Sequence, residues 1–249
     1  MDLVPEITVE KNMVSTVIIL TSGSPKAEDQ LDFATDMFED LKFSKIIWVQ
    51  GIDSEKRGTY PRGKVGPMSS MAWLLAFGPK LLKMVERIPY GLPFCIAEDS
   101  VWPTDACTPS YLHTVFHHYR HYGYDAVWAG AVTMPRKRKI DSTEICTPGG
   151  SKLFIATRGF VEKAYEILIK TDKTMFVDGV MHHLVAKQVL VVMPKFLAGS
   201  QDERWSARQK QYVSSHVEGL PLVGAPLSKR RNATGSARHD DHDPILVLV

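Results

Sequence analysis

Two neighbouring carboxylates, Glu98 and Asp99, follow an apolar run in the stretch Pro93-Phe94-Cys95-Ile96-Ala97-Glu98-Asp99-Ser100. In an open α/β sheet, ligands bind outside the carboxyl ends of the strands, so carboxylates just past such an end stand where chemistry is done. Close carboxylates are costly to keep ionised unless a cation, a proton or water compensates them. A divalent metal, Mn2+ or Mg2+, bridging to an anionic phosphate ligand would do so, because such ions favour oxygen donors. A buried strand ending in a solvated turn accounts for the same residues without chemistry. On the functional reading Asp99 is the leading metal-binding or donor-positioning residue and Glu98 its partner. Adjacent side chains on an extended segment point to opposite faces, so the two need not hold one ion.

Other residues gather around this pair as candidates. Asp178, followed by the permissive Gly179, opens a helical stretch. It is placed either to accept the proton of an attacking hydroxyl or simply to cap the helix. His182 and His183 follow within one turn, and His182 has i,i+4 geometry with Asp178. One would face the diphosphate side of a donor or join a metal site, and the other would pack; His182 is assigned to the donor and His183 to the metal. Gly149 and Gly150 let backbone approach an acceptor, with Ser151 and Lys152 as polar contacts, or they form a tight turn before a strand. Thr21 and Ser22 end the first strand and Asp53 the second, where a nucleotide would lie. Arg57, Arg62 and Lys64 are candidates for donor phosphates, though capping or surface solvation explains each singly. His113, His117 and His121 recur every four residues, but among Tyr111, Phe116, Tyr119 and Tyr122 they fit a packed amphipathic face rather than a zinc stripe. Arg136 to Lys139, four consecutive cations, read first as a solvated segment, with an anionic acceptor, a lid or phosphate attraction to nucleic acid as the other options.

The hydrophobic pattern outlines the strands and helices that carry these residues. Of 249 residues, 44% are hydrophobic and 23% charged, an ordinary globular composition. Thirty basic residues against 28 acidic ones give +2, no global drive toward nucleic acid. No apolar run approaches the roughly 20 residues that span a bilayer, and the first residues lack a signal-peptide layout. A cytoplasmic or otherwise intracellular protein is expected. Three cysteines without short paired spacing fit thiols in a reducing compartment. Thr16 to Leu20 reads as a buried strand. Leu31, Ala34, Met37, Phe38 and Leu41 recur at helical spacing, and Ser44 to Val49 returns to strand composition, so the chain opens β-α-β. A polar loop then leads to a helix over roughly Met68 to Val85, containing Pro79. Strands follow at Leu92 to Ala97, Asp125 to Ala129, Lys152 to Ala156 and Val189 to Met193. Helices are expected from Pro109 to about Tyr122, from Arg158 to Lys170 and from Asp178 to Ala186. Residues 1–227 form one catalytic domain, and 228–249 a polar tail whose final Pro-Ile-Leu-Val-Leu-Val docks as an edge strand.

Several short features recur in an order that resembles one family. They are Gly51-Ile52-Asp53, the Ser-containing helix from Gly66 to Leu75, Ala97-Glu98-Asp99-Ser100, the segment from Gly149 through Leu168, and Phe176-Val177-Asp178-Gly179-Val180-Met181-His182-His183-Leu184. In this order, over roughly Val17 to Pro194, the chain resembles the glycosyltransferases that include lipopolysaccharide β-galactosyltransferases and collagen galactosyltransferases. The resemblance implies a GT-A-like, Rossmann-like mixed central sheet with helices on both faces. It also implies transfer of a hexose from a nucleotide-diphosphate sugar, UDP-linked, to a hydroxyl acceptor with Mn2+ or Mg2+. Where the family's acidic motif reads Leu-Glu-Asp-Asp, Ser100 replaces the last acid. Two alternatives accompany this reading: a non-catalytic α/β protein binding nucleic acid or a partner through the basic segment, and a metal-dependent nucleotidyl or phosphoryl transferase using the same acidic strand end. A P-loop enzyme is excluded by the lack of its Gly-x-x-x-x-Gly-Lys signature.

Overall fold

The computed structural model of the protein describes residues 14–21, 27–50, 78–132, 135–140, 142–170, 177–201, 204–206, 211–213, 222–223 and 247–248. Strand β1 (Thr16–Thr21), helix α1 (Glu28–Asp40) and β2 (Lys45–Gln50) make the opening β-α-β unit. Helix α2 (Gly78–Val85) leads to β3 (Phe94–Glu98) and β4 (Val101–Pro103), then α3 (Pro109–His121) and β5 (Ala126–Gly130). A hairpin of β6 (Arg136–Ile140) and β7 (Thr143–Thr147) precedes β8 (Leu153–Ala156), α4 (Arg158–Lys170), α5 (Val177–Ala186), β9 (Leu190–Val192) and β10 (Ala198–Ser200). Two small antiparallel pairs complete the elements, β11 (Arg204–Ser206) with β12 (Gln211–Val213), and β13 (Leu222–Val223) with β14 (Val247–Leu248).

The central sheet runs in the order β2-β1-β3-β8-β5-β10-β4, with β9 beside β5. Strands β2, β1 and β3 are parallel, and β8 lies antiparallel between β3 and β5. Side-chain alternation divides the apolar residues between two cores. Val17, Ile19, Cys95, Ala97, Val127, Ala129, Leu153 and Ile155 face α1 and α3, meeting Ala34, Phe38, Leu112 and Phe116. Ile18, Leu20, Phe94, Ile96, Trp128, Phe154 and Ala156 face the opposite way, toward Leu81, Val85, Phe160, Ala164, Val180 and Leu184 of α2, α4 and α5. A strand covered on both faces carries a continuous apolar run, which is why Thr16–Thr21 is buried throughout. The expected mixed α/β sheet with helices on both faces is present. No helix among the described residues is long and apolar enough to cross a membrane.

Three differences have local causes. The basic run folds as strand β6 because Thr143–Thr147 offers it a pairing partner; its own composition has no strand period. Strands β4 and β10 are three residues each, too short for periodicity to register. At the C-terminus Val247–Leu248 pairs with Leu222–Val223 and belongs to no central-sheet ladder. Residues 51–77, which contain most of the helix expected from Met68, lie outside the described residues, as does most of the 228–249 tail.

Helix α3 starts where Thr108 accepts a hydrogen bond from the Tyr111 amide at 3.3 Å, with Pro109 just inside. At the other end of this helix, Asp125 accepts from Arg120 at Oδ1 and from Lys163 of α4 at Oδ2, tying α3, β5 and α4 together. Burial raises the Asp125 pKa, but hydrogen bonds from Lys163 and Arg120 and their charges outweigh it, leaving the carboxyl below its ordinary value. Because the folded-state pKa is depressed, this stabilisation is complete above the unfolded-state value of about 3.9 and is lost as pH falls through the folded value. Asp125→Asn is therefore expected to lower Tm by about 2–4 °C at pH 7, with the difference from the parent vanishing in thermal melts taken at progressively more acid pH.

Cys95 and Cys107 are buried, and removal from water pushes both thiols up, while Cys146 on β7 is exposed. The thiolate is the reactive form, so a disulfide-exchange reagent should titrate Cys146 in the folded protein and all three cysteines only after denaturation. Rapid reaction of a second thiol in the folded state would contradict this burial pattern.

Candidate functional site

The topology selects one edge of the sheet. The connection from β1 to β2 passes over one face through α1, and the connection from β2 to β3 includes α2 on the other face. The chain thus winds away from β1 in opposite directions, which makes the carboxyl ends of β1 and β3 a topological switch point, the ligand position of open α/β sheets. Register places Leu20 opposite Glu98, and the Asp99 amide donates to the Leu20 carbonyl at 3.0 Å. Thr21 and Asp99 therefore emerge side by side from neighbouring strands.

The antiparallel β8 returns its amino end to this same edge. The Glu98 amide donates to the Lys152 carbonyl at 3.3 Å, and Ser151 Oγ donates to Glu98 Oε1 at 3.0 Å. Lys152 Nζ donates to Glu98 Oε2 and, at 2.7 Å, to Ser100 Oγ. The Lys152 side chain is 2% exposed and that of Glu98 34%, so an ammonium ion sits beneath a carboxylate that reaches toward solvent. A buried lysine is tolerated only where its charge and its donors are met, and Glu98 and Ser100 meet them. The acidic strand end is thus a Lys–Glu–Ser network, and Ser100 has a role as its third member.

A second clamp holds the turn from behind. The Gln201 side-chain amide, buried after β10, donates to the carbonyls of Gln30, Asp99 and Val101 at 2.9, 3.1 and 3.1 Å. Its backbone amide donates to the Ser100 carbonyl at 2.9 Å. Nothing in the sequence marks Gln201, because its partners are set by β10 entering the sheet 100, 102 and 171 residues after them.

The turn before β8 is shaped by glycine. Lys152 donates from its backbone amide to Gly130 at 3.0 Å, and Val132 donates to Gly149 at 2.9 Å. Gly150 between them has φ +76°, and a Cβ there would fall 2.5 Å from Val132 Cγ2. Beneath this turn, His182 is buried, its Nε2 3.3 Å from the Pro148 carbonyl oxygen and its ring stacked 6.0 Å from that of Trp128. Trp128 in turn donates to the Gly130 carbonyl at 2.9 Å. His182 thus braces the turn from α5, while His183 beside it is half-buried.

Of the expected site residues, the structure brings together Thr21, Glu98, Asp99, Gly149, Gly150, Ser151 and Lys152. Asp178 stands in the first turn of α5, which packs against β6, β7 and β9. Ser22, Asp53, Arg57, Arg62 and Lys64 lie outside the described residues. His113 and His117 have ring centroids 4.2 Å apart, and Phe116 packs edge-on against His117. Among the described residues no group of three or more His, Cys, Asp or Glu is arranged to hold a metal ion. At this edge both oxygens of the Glu98 carboxylate accept hydrogen bonds, one from Ser151 and one from Lys152.

No family model matches the chain, and no curated protein matches it. Among solved structures, it is similar to a putative glucose-1-phosphate thymidylyltransferase from Bacillus anthracis in complex with a sucrose, at 9% identity and TM-score 0.41, covering 72% of this chain and 86% of that one. An inositol-1-phosphate CTP transferase from T. maritima aligns at 9% identity and TM-score 0.40, over 75% and 89% of the two chains. A UDP-glucose pyrophosphorylase complexed with UDP-glucose aligns at 11% identity and TM-score 0.38, over 76% and 90%. At these scores the superpositions carry no residue roles across.

These findings correct the resemblance to lipopolysaccharide and collagen galactosyltransferases. The structures found are a thymidylyltransferase, a CTP transferase and a pyrophosphorylase, and no family model supports the galactosyltransferase motifs. The physical reason lies in the acidic motif itself: Glu98 is held by Lys152 and Ser151, and Ser100 by Lys152, in place of a run of carboxylates. The assignments that followed from that family, namely hexose transfer to a hydroxyl, a GT-A fold and a manganese glycosyltransferase, are withdrawn with it.

Two substitutions test the network. Lys152→Met should destabilise the fold by about 1–3 kcal/mol, and Glu98→Gln in the same chain should recover part of the loss, a coupling that denaturant melts of the double-mutant cycle would resolve. Gly150→Val combines left-handed backbone with the Val132 contact and should lower stability by more than about 1 kcal/mol. A Gly150→Val protein as stable as the parent would show that the turn relaxes freely.

Proposed function

We propose that the chain is a nucleotidyl transferase that binds a nucleoside triphosphate at the carboxyl ends of β1 and β3 and transfers its nucleotidyl group to a phosphate-bearing acceptor such as a sugar phosphate. The observation that carries this reading is the switch point itself, with Thr21, Asp99 and the Lys152-held Glu98 at adjoining strand ends. The groups there are positioning groups: a hydroxyl, carboxylates and a fixed hydrogen-bonded turn. Such a set suits phosphorus chemistry, in which the protein aligns two substrates and offsets charge with little covalent work of its own.

In this reaction an oxygen of the acceptor phosphate attacks the α-phosphorus. The new P–O bond forms as the bond from the α-phosphorus to the bridging oxygen breaks, and pyrophosphate leaves with the electron pair. Attack requires the acceptor oxygen to stand in line with the departing bond, so a rigid floor is the first requirement. Lys152 and Gln201 supply it by holding the Glu98–Val101 turn from two sides. Asp99 is the residue that would hold a divalent cation, which would supply charge neutralisation for the leaving pyrophosphate. Lys152 orients the Glu98 carboxylate by donating to it, so it acts as a positioning residue.

The test is pyrophosphate release from each of the four common nucleoside triphosphates with a panel of sugar 1-phosphates, together with nucleotide binding by calorimetry. Asp99→Asn should lower kcat/KM by about 100-fold or more while the far-UV spectrum stays unchanged. A well-folded parent protein that binds none of the four nucleotides would overturn the reading.

A further inference from the structure

The β6–β7 hairpin is rooted in the proposed site. It leaves the sheet from Gly130 at the end of β5 and returns at Lys152, and the bonds between Lys152 and Gly130 and between Val132 and Gly149 continue the β5–β8 ladder into its base. It is therefore a two-stranded arm standing on the edge that carries Glu98. Pairing sets Arg136 opposite Thr147 and Arg138 opposite Ile145 on one face, and Lys137 opposite Cys146 and Lys139 opposite Glu144 on the other. Ile145 and Thr147 are buried, and the arm packs on α5, so the Lys137 and Lys139 face looks to solvent. Arg136 and Arg138 are also exposed.

Four cations in five residues repel one another, and among the described arm residues only Glu144 opposes them. Its contact with Lys137, 3.1 Å with both side chains largely exposed, offsets little of that repulsion. A single lysine is enough to keep an edge strand from pairing with another chain, so edge protection does not account for four. Same-face cations two residues apart along a strand are separated by about 6.8 Å. That spacing is comparable to the separation of successive phosphates along a nucleotide backbone. No aromatic residue accompanies them on β6 or β7, so bases would find no stacking platform.

We propose that this arm binds a chain of phosphates, and that the acceptor presented to the switch point carries two or more phosphates in succession. The second clause rests on the nucleotidyl-transfer reading; the first does not. The chemistry has two sources, a small multiply phosphorylated molecule or a nucleic-acid strand bound through its backbone.

The experiment is fluorescence anisotropy of the full chain with a fluorescein-labelled oligothymidylate, and calorimetry with inorganic tripolyphosphate, each across a salt series. Binding of either probe is expected at low salt, weakened about tenfold when Lys137→Gln and Lys139→Gln are combined. For the oligonucleotide, the slope of log affinity against log salt should fall by about 1.4, two contacts at roughly 0.7 each. Tight tripolyphosphate binding supports the arm with a small-molecule source, and binding of the oligonucleotide alone supports it with a nucleic-acid source. No binding of either probe at low salt, or an affinity and slope unchanged by the two substitutions, would overturn the proposal. If the probes bind as expected while the same preparation releases no pyrophosphate from any nucleoside triphosphate with any sugar 1-phosphate, the proposed function fails and the arm's role stands.

Discussion

A buried lysine, Lys152, organises the sheet edge at the ends of β1 and β3. Lys152 cannot be left uncompensated in a site that is 2% exposed, so the chain around it must supply a carboxylate and a hydroxyl. Glu98 and Ser100 do this from the end of β3, and that need locks the start of β8 to the end of β3 beyond what their ladder alone would do. The position of Asp99, between those two residues, follows from the same constraint. Gln201 completes the arrangement by holding the backbone of the turn from the far side. A turn fixed through its neighbours on both sides leaves Asp99 little room to change its direction.

Much of the scaffold was legible from apolar patterning. Thr16 to Leu20 and Leu92 to Ala97 are runs that only a strand covered on two faces accommodates, and the helical spacing from Leu31 to Leu41 required a crossover. The Pro109 start followed from proline's fit at the first helical position, and the extent of Arg158–Lys170 from amphipathicity. What was illegible is what tertiary pairing decides. Lys152 and Glu98 are 54 residues apart, and no local rule says that the lysine after a Gly-Gly-Ser turn will lie under an acid at another strand's end. The basic strand β6 was hidden for the same reason, since its partner rather than its composition makes it extended.

The acidic motif shows how such pairing changes a functional reading. Taken as a line of letters, Glu98-Asp99-Ser100 looks like a family's carboxylate run with one member lost. In three dimensions the serine shares a lysine with the glutamate, and the three form one hydrogen-bonded unit. Ser100 is thus a working member of a hydrogen-bonded turn at the switch point between β1 and β3. His182 underwent a similar change: expected on the donor side, it is packed between Trp128 and the Pro148 carbonyl, where it supports the turn leading into Ser151 and Lys152.

The proposed function puts a nucleotide at the carboxyl ends of β1 and β3. Backbone hydrogen exchange, followed with and without a nucleoside triphosphate, addresses it without depending on turnover or on the identity of the acceptor. Slowed exchange is expected at residues 99–101 and 149–152, with the remote pairing of β9 to β5 unaffected. Protection confined to other parts of the chain, with residues 99–101 and 149–152 exchanging as before, would contradict it.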